Sequence, residues 1–236
     1  MKKAVMVAAG LSSRLYPLTE TQPKCLLKIG EKTIVERNVS LLKANGFEEI
    51  YIVTGYLNEK IESTLGEQCN YIYNPYYKYC NNMGSLHCTR YVVGNEPFLY
   101  MHGDIVFTEQ LLQQFIEQSM QEESSLTLAV DFKTTDEEAM KVKITDNYYL
   151  ISSNKDITPE ESAGEWTGLA IIKNSKAAFE EIESVLKEEL LTVYDTYAFT
   201  RMATKGHSIK CLPTNNQQWI EIDFIEDYNL AKRMFE

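Results

Sequence analysis

Short apolar runs alternate with segments of helical period through the first half of the chain. Residues 4–9, AVMVAA, are apolar at every position, as a strand covered on both faces requires. Residues 33–46 follow a helical period, with Val35, Val39 and Leu42 on one stripe, a T-x-x-E capping signal at Thr33 and Glu36, and a terminal glycine. The pattern then predicts a strand over 49–54, a short helix over 58–65, a short strand over 71–73, a helix over 84–93, and a strand over 98–101 running into His102-Gly103-Asp104. This βαβαβαβ order predicts an α/β fold: a Rossmann-like sandwich of three layers, with a mainly parallel sheet between two layers of helices.

From residue 125 the pattern changes. Strand-like runs at 125–130, 141–145, 148–152 and 166–172 precede helices over 175–190 and 193–205, strands over 208–212 and 219–223, and a last helix from Ile225. The second half is expected to extend the same sheet, so that residues 1–236 form one domain. In such sheets ligands sit beyond the carboxyl ends of the strands. Residues 8–26, Gly55-Tyr56 and Gly103-Asp104 all fall at strand ends and are expected to converge on one cleft.

Charge sharpens this expectation. The chain of 236 residues carries 34 acidic and 23 basic side chains, a net charge of −11 that argues against nucleic acid as a partner. Residues 1–30 run against that trend, with Lys2, Lys3, Arg14, Lys24 and Lys28 set against Glu20 alone. Five cysteines without a CxxC pair and three scattered histidines suggest neither a disulfide framework nor a zinc site. With no apolar run long enough for a bilayer and a first segment that reads as a strand, a cytoplasmic protein is expected.

The stretch AAGLSSRLYPLTETQPKCL therefore joins small residues to two cations at a strand end. Ala8, Ala9, Gly10, Ser12 and Ser13 leave the backbone open, and successive N–H groups in such a turn, Leu11 included, form a nest for an anion. Arg14 offers a fork of donors to phosphate oxygens, whereas Lys24 is a compact, movable charge. The stretch is neither a Walker A loop nor a dinucleotide fingerprint, because Gly10 stands alone and no G-K-[ST] follows. Asp104 is likewise a lone aspartate rather than the D-x-D of many glycosyltransferases.

A-A-G-L-S-S-R-L-Y-P-L-T followed by Q-P-K-C-L-L-K-I-G resembles the N-terminal signature of the sugar-phosphate nucleotidyltransferase superfamily. The later motifs V-T-G-Y, N-P-Y-Y-K-Y-C-N-N-M-G-S-L, H-G-D-I-V-F, W-T-G-L and W-I-E-I-D-F-I-E-D occur in the order of its small cytidylyltransferase branch, which includes phosphocholine, phosphonate and inositol-phosphate cytidylyltransferases. The resemblance implies the fold of the nucleotide-diphospho-sugar transferases, with residues 1–124 as the nucleotide-binding half and 125–236 as the acceptor-binding half. It implies CTP as the nucleotide, a small phosphorylated acceptor, and release of pyrophosphate. The turn 8–13 would wrap the triphosphate, Arg14 would neutralise the departing pyrophosphate, and Lys24 would lie near the reacting phosphates. Asp104 and Asp223 would hold Mg2+. Glu221 competes with Asp223, since strand alternation puts both on one face, while Asp227 reads as a first-turn acid of the last helix. Tyr56, Asn82 and Ser85 would touch base and ribose.

The acceptor end is expected to involve Lys24, Glu165, Trp166 and Tyr194. Tyrosines crowd residues 71–79 and recur at Tyr194 and Tyr197. With Glu165 beside Trp166 they suggest an acidic aromatic cage for an ammonium group, and phosphocholine as first acceptor. His102 is expected to fix loop geometry, and His87 and Cys88 to pack. The rival readings are a sugar-1-phosphate or inositol-phosphate nucleotidyltransferase and a nucleotide-binding regulatory subunit without chemistry.

Overall fold

The computed structural model describes all 236 residues. Four parallel strands form the first half of a nine-stranded sheet, in spatial order Asn70–Tyr73, Glu49–Thr54, Lys3–Ala8 and Phe98–His102. Gly164–Ile172 runs antiparallel to Phe98–His102 and also pairs with Leu126–Asp131 and Lys141–Ile144. Leu150–Asn154 forms the far edge, and Ile209–Pro213 lies parallel to Leu126–Asp131. The sheet is thus mixed, with helices on both faces, as the order of elements predicts.

Alternation along each buried strand feeds two cores. Val5, Val7 and Val53 face one side of the sheet and pack with Phe179, Ile182 and Phe199 of the helices Ser175–Lys187 and Asp195–Thr204. Ala4, Met6 and Ile52 face the other and meet Val35, Val39 and Leu42 of the helix Ile34–Ala44. That helix begins in the capping box read from the sequence: Glu36 N–H donates to Thr33 Oγ1 at 3.2 Å and Thr33 N–H to Glu36 Oε2 at 2.8 Å.

Two elements depart from the pattern. The helix expected over 84–93 is two shorter ones, Asn82–His87 and Arg90–Val93. The Asn81 side chain accepts the Asn82 N–H and starts the first early, and the Thr89 hydroxyl donates to the Leu86 carbonyl where the two part. The strand expected over 219–223 does not join the main sheet. Trp219–Glu221 pairs with Ile105–Phe107, a strand the periodicity does not mark, in a separate antiparallel ribbon. No helix is long and apolar enough to cross a membrane.

Candidate active site

The ends of the strands Lys3–Ala8 and Phe98–His102 open onto a cleft of about 260 Å³. Its near wall is the turn after the first strand, where Ser12 takes a left-handed conformation (φ 53°) and its carbonyl accepts from the Thr19 hydroxyl at 2.7 Å. Two short 3₁₀ turns, Ser13–Leu15 and Lys24–Leu26, carry Arg14 and Lys24. Gly103 lets the neighbouring strand end come close: a Cβ there would stand 2.8 Å from the Val7 carbonyl oxygen and 2.9 Å from Ala8 Cβ. The late acids arrive through the small ribbon, because the Ile222 N–H donates to the Asp104 carbonyl at 3.0 Å and sets Glu221 and Asp223 beside Asp104.

The charges form a chain. Lys24 Nζ lies 2.8 Å from Asp104 Oδ2 and 2.9 Å from Asp223 Oδ1, and Arg14 Nη2 lies 2.8 Å from Asp223 Oδ2. Burial opposes the Lys24 charge, but Asp104, Asp223 and Glu221 outweigh it and raise its pKa above the ordinary lysine range. Burial would raise Asp223, yet Lys24 and Arg14 hold it below its usual value. Glu221 has no ion pair or hydrogen bond, and burial beside Asp104 and Asp223 pushes it up. Asp227 accepts the N–H groups of Asp223 (3.0 Å) and Phe224 (2.7 Å), capping the last helix, Ile225–Phe235, as a first-turn acid does.

Deeper in the cleft His102 Nε2 lies 3.0 Å from Asp195 Oδ2, which also accepts from the Tyr100 hydroxyl at 2.6 Å. Burial alone would lower the imidazole, but Asp195, with Asp104 and Glu221 behind it, pushes it up to about 9. On the far wall Lys155 Nζ lies 3.4 Å from Glu138 Oε2, which also meets Arg14 Nη1 at 3.5 Å. Glu138 thus bridges cations from opposite walls.

Of the residues expected in the site, the cleft is lined by Ala8, Ala9, Gly10, Ser12, Ser13, Arg14, Lys24, Asn82, Asp104, Trp166, Tyr194 and Asp223. Leu11, Tyr56, Ser85 and Glu165 are not among its lining. Leu11 points outward, the Tyr56 hydroxyl donates to the Glu20 carbonyl at 2.7 Å, and Ser85 accepts from Asn74 inside the fold at 3.1 Å. Glu165 precedes Trp166 on a strand and so faces the other way, toward Lys133, Asp131, Asp136 and Lys141. Trp166 itself is 2% exposed, its indole N–H donating to the Leu169 carbonyl, so it offers the cleft little surface.

The aromatic cage is therefore not assembled. Tyr76 and Tyr79 lie about two-thirds exposed at 67% and 68%, and the Tyr71 hydroxyl donates to the Gly66 carbonyl. Only Tyr194 of the tyrosines lines the cleft, and Lys155 already lies over its ring at 5.8 Å. Conversely, Lys155, Asn81 and Met140 line the cleft without having been singled out. Lys155 directly follows the strand Leu150–Asn154, so the strand-end rule that found Asp104 could have found it. Nothing local marks Glu138, one acid among several in TTDEEA.

Residues 4–195 match the model of the MobA-like NTP transferase domain. The chain belongs to that family. Among relatives of this NTP transferase, the CTP:phosphoglutamine cytidylyltransferase of Campylobacter jejuni is 26% identical over 251 residues, covering 95% of this chain and 96% of that one. The choline-phosphate cytidylyltransferase of Streptococcus pneumoniae is 32% identical over 105 residues, 42% of this chain and 46% of that one. The inositol-1-phosphate CTP transferase of T. maritima has the same fold, with a TM-score of 0.83 at 24% identity over 100% of this chain and 97% of that one.

Proposed function

We propose that this NTP transferase moves a cytidylyl group from CTP onto the phosphate of a small phosphorylated acceptor and releases pyrophosphate. The observation that carries the reading is the Arg14–Asp223–Lys24–Asp104 chain of charges beside the open turn 8–13. The cytidylyl choice is supported by the two sequence relatives named above, both cytidylyltransferases by name, one of which aligns along nearly the whole chain.

An oxygen of the acceptor phosphate attacks the α-phosphorus in line. The bond to the bridging oxygen breaks, and its electron pair leaves with pyrophosphate, so no covalent enzyme intermediate is needed. The turn 8–13 offers N–H groups to the triphosphate tail. Arg14, about half exposed at 47%, exchanges Asp223 for phosphate oxygens. Lys24, buried between two carboxylates, is held where charge shifts during transfer. Lys155 supplies a third cation, facing Arg14 across Glu138, for the acceptor phosphate.

The donors also fit magnesium. Asp104 Oδ1 is buried without a hydrogen-bond partner, and oxygen ligands suit a hard cation. Asp104, and Asp223 once Arg14 has exchanged its Oδ2 for phosphate oxygens, would hold Mg2+, which when bound neutralises charge on the α- and β-phosphates.

For the acceptor, the unassembled cage weakens the case for phosphocholine, while Lys155 and the amide of Asn82 favour a phosphorylated compound with hydrogen-bonding groups. A phosphorylated amino-acid derivative bearing amide or carboxylate groups, of the phosphoglutamine type, is the first candidate. Pyrophosphate release, measured over the four nucleoside triphosphates against phosphoglutamine, phosphocholine, inositol phosphate and glucose 1-phosphate, tests both choices. CTP with phosphoglutamine should be fastest. Preference for UTP or dTTP with the sugar phosphate would overturn the cytidylyl reading, and silence with every pair would favour a regulatory subunit.

A further inference from the structure

Asp104 is engaged on one side only. Its Oδ2 meets Lys24 at 2.8 Å, whereas Oδ1 is buried and unpartnered. One ring nitrogen of His102 and one oxygen each from Asp104 and Glu221 lie within 4.8 Å of one another, a spacing that one ion can bridge with bonds of about 2.0–2.3 Å. Asp223 differs from Glu221 in being taken by two cations.

His102 is held from several sides. Its Nε2 faces the fully buried Asp195 at 3.0 Å, and the Trp166 ring meets it edge-on at 4.9 Å between centroids. Gly168, at φ +83°, leaves the ring its space: a Cβ there would stand 3.1 Å from Nδ1. A buried carboxylate bonded to one nitrogen of an imidazole is how proteins aim the other at a metal. With Nε2 engaged, Nδ1 is the nitrogen left for a ligand role.

We infer that His102, Asp104 and Glu221 form a binding site for a divalent first-row transition cation such as Mn2+, filled in the nucleotide-free enzyme and aimed by Asp195. The inference rests on the nucleotidyl-transfer reading only through Asp104, which the two cation sites share. One imidazole nitrogen with two carboxylate oxygens suits Mn2+ better than Mg2+, which prefers oxygen throughout. The chain would then bind Mn2+ more tightly than Mg2+ before any nucleotide arrives.

The probe is Mn2+ alone, added to the full chain without nucleotide. Loss of the free-ion electron paramagnetic resonance signal counts bound metal, and electron spin echo modulation reports a ring nitrogen on it. The wild type should bind one ion per chain and show nitrogen modulation. Asp195→Asn should weaken binding by about ten- to a hundredfold. His102→Gln should lose the modulation, and Asp223→Asn should keep it. Mn2+ bound without nitrogen modulation in the wild type, or no binding at all, overturns the site whatever the variants do. Pyrophosphate release with Mg2+ is a separate measurement, so either conclusion can fail without the other.

Discussion

Lys24 and Arg14 share Asp223 but differ in their surroundings, and that difference separates their roles. Lys24 is nearly buried and touches two carboxylates, so Lys24→Met leaves Asp104 and Asp223 facing each other with no cation between them. We expect kcat to fall by about 10²- to 10³-fold, as for loss of one transition-state donor, with a smaller change in nucleotide KM. Arg14 is exposed, stands 5.0 Å over the Phe224 ring, and is free to swing to a ligand. Arg14→Ala should therefore raise KM for the nucleotide more than it lowers kcat. Steady-state kinetics on the two variants checks the pair, and the same kcat and KM changes in both would contradict separate roles.

Among the elements, the strand Phe98–His102 decides whether the site can form, because Gly103 carries its end past the first strand with no room for a side chain. Gly103→Ala should destabilise the fold by about 1–3 kcal/mol, the usual cost of forcing a methyl into a packed contact, and should lower activity further by displacing the turn 8–13. Urea unfolding beside initial rates would show this; an unchanged midpoint with normal rates would mean the strand ends tolerate separation. The helix Ile34–Ala44 was legible to its capping box because its signal is local: Thr33 and Glu36 interact across three residues. The strand Ile105–Phe107 was not, because three apolar residues carry no period, and its partner Trp219–Glu221 lies over a hundred residues away.

For the molecule as a whole, the misplaced Glu165 has a measurable consequence. Burial, only partly offset by Lys133, pushes its carboxyl up to about 7, with Asp136 and Asp131 adding to the shift. Between its usual value of 4.5 and about 7 the folded protein keeps a proton that the unfolded chain releases, so stability falls as pH rises through that window and levels off above it. Glu165→Gln should flatten this part of the profile and leave the variant more stable than the wild type at pH 8 by about 1–3 kcal/mol. Urea midpoints at pH 5 and pH 8 test it, and an equal difference between the two proteins at both pH values would refute it. The sequence by itself determined the α/β class, the turn that opens the site and the two cations Arg14 and Lys24 beside it, because periodicity, small residues and charge at strand ends are local properties; Asp104 and Asp223 were singled out as a pair only through the family resemblance, since strand alternation leaves Glu221 and Asp223 on one face. Tertiary structure alone decided that Lys155 and Glu138 face Arg14, that Asp195 holds His102, and that the tyrosines do not meet. Those are distances between elements far apart in the chain, and they depend on which strand pairs with which and on which face each side chain takes, a choice that one residue of register reverses.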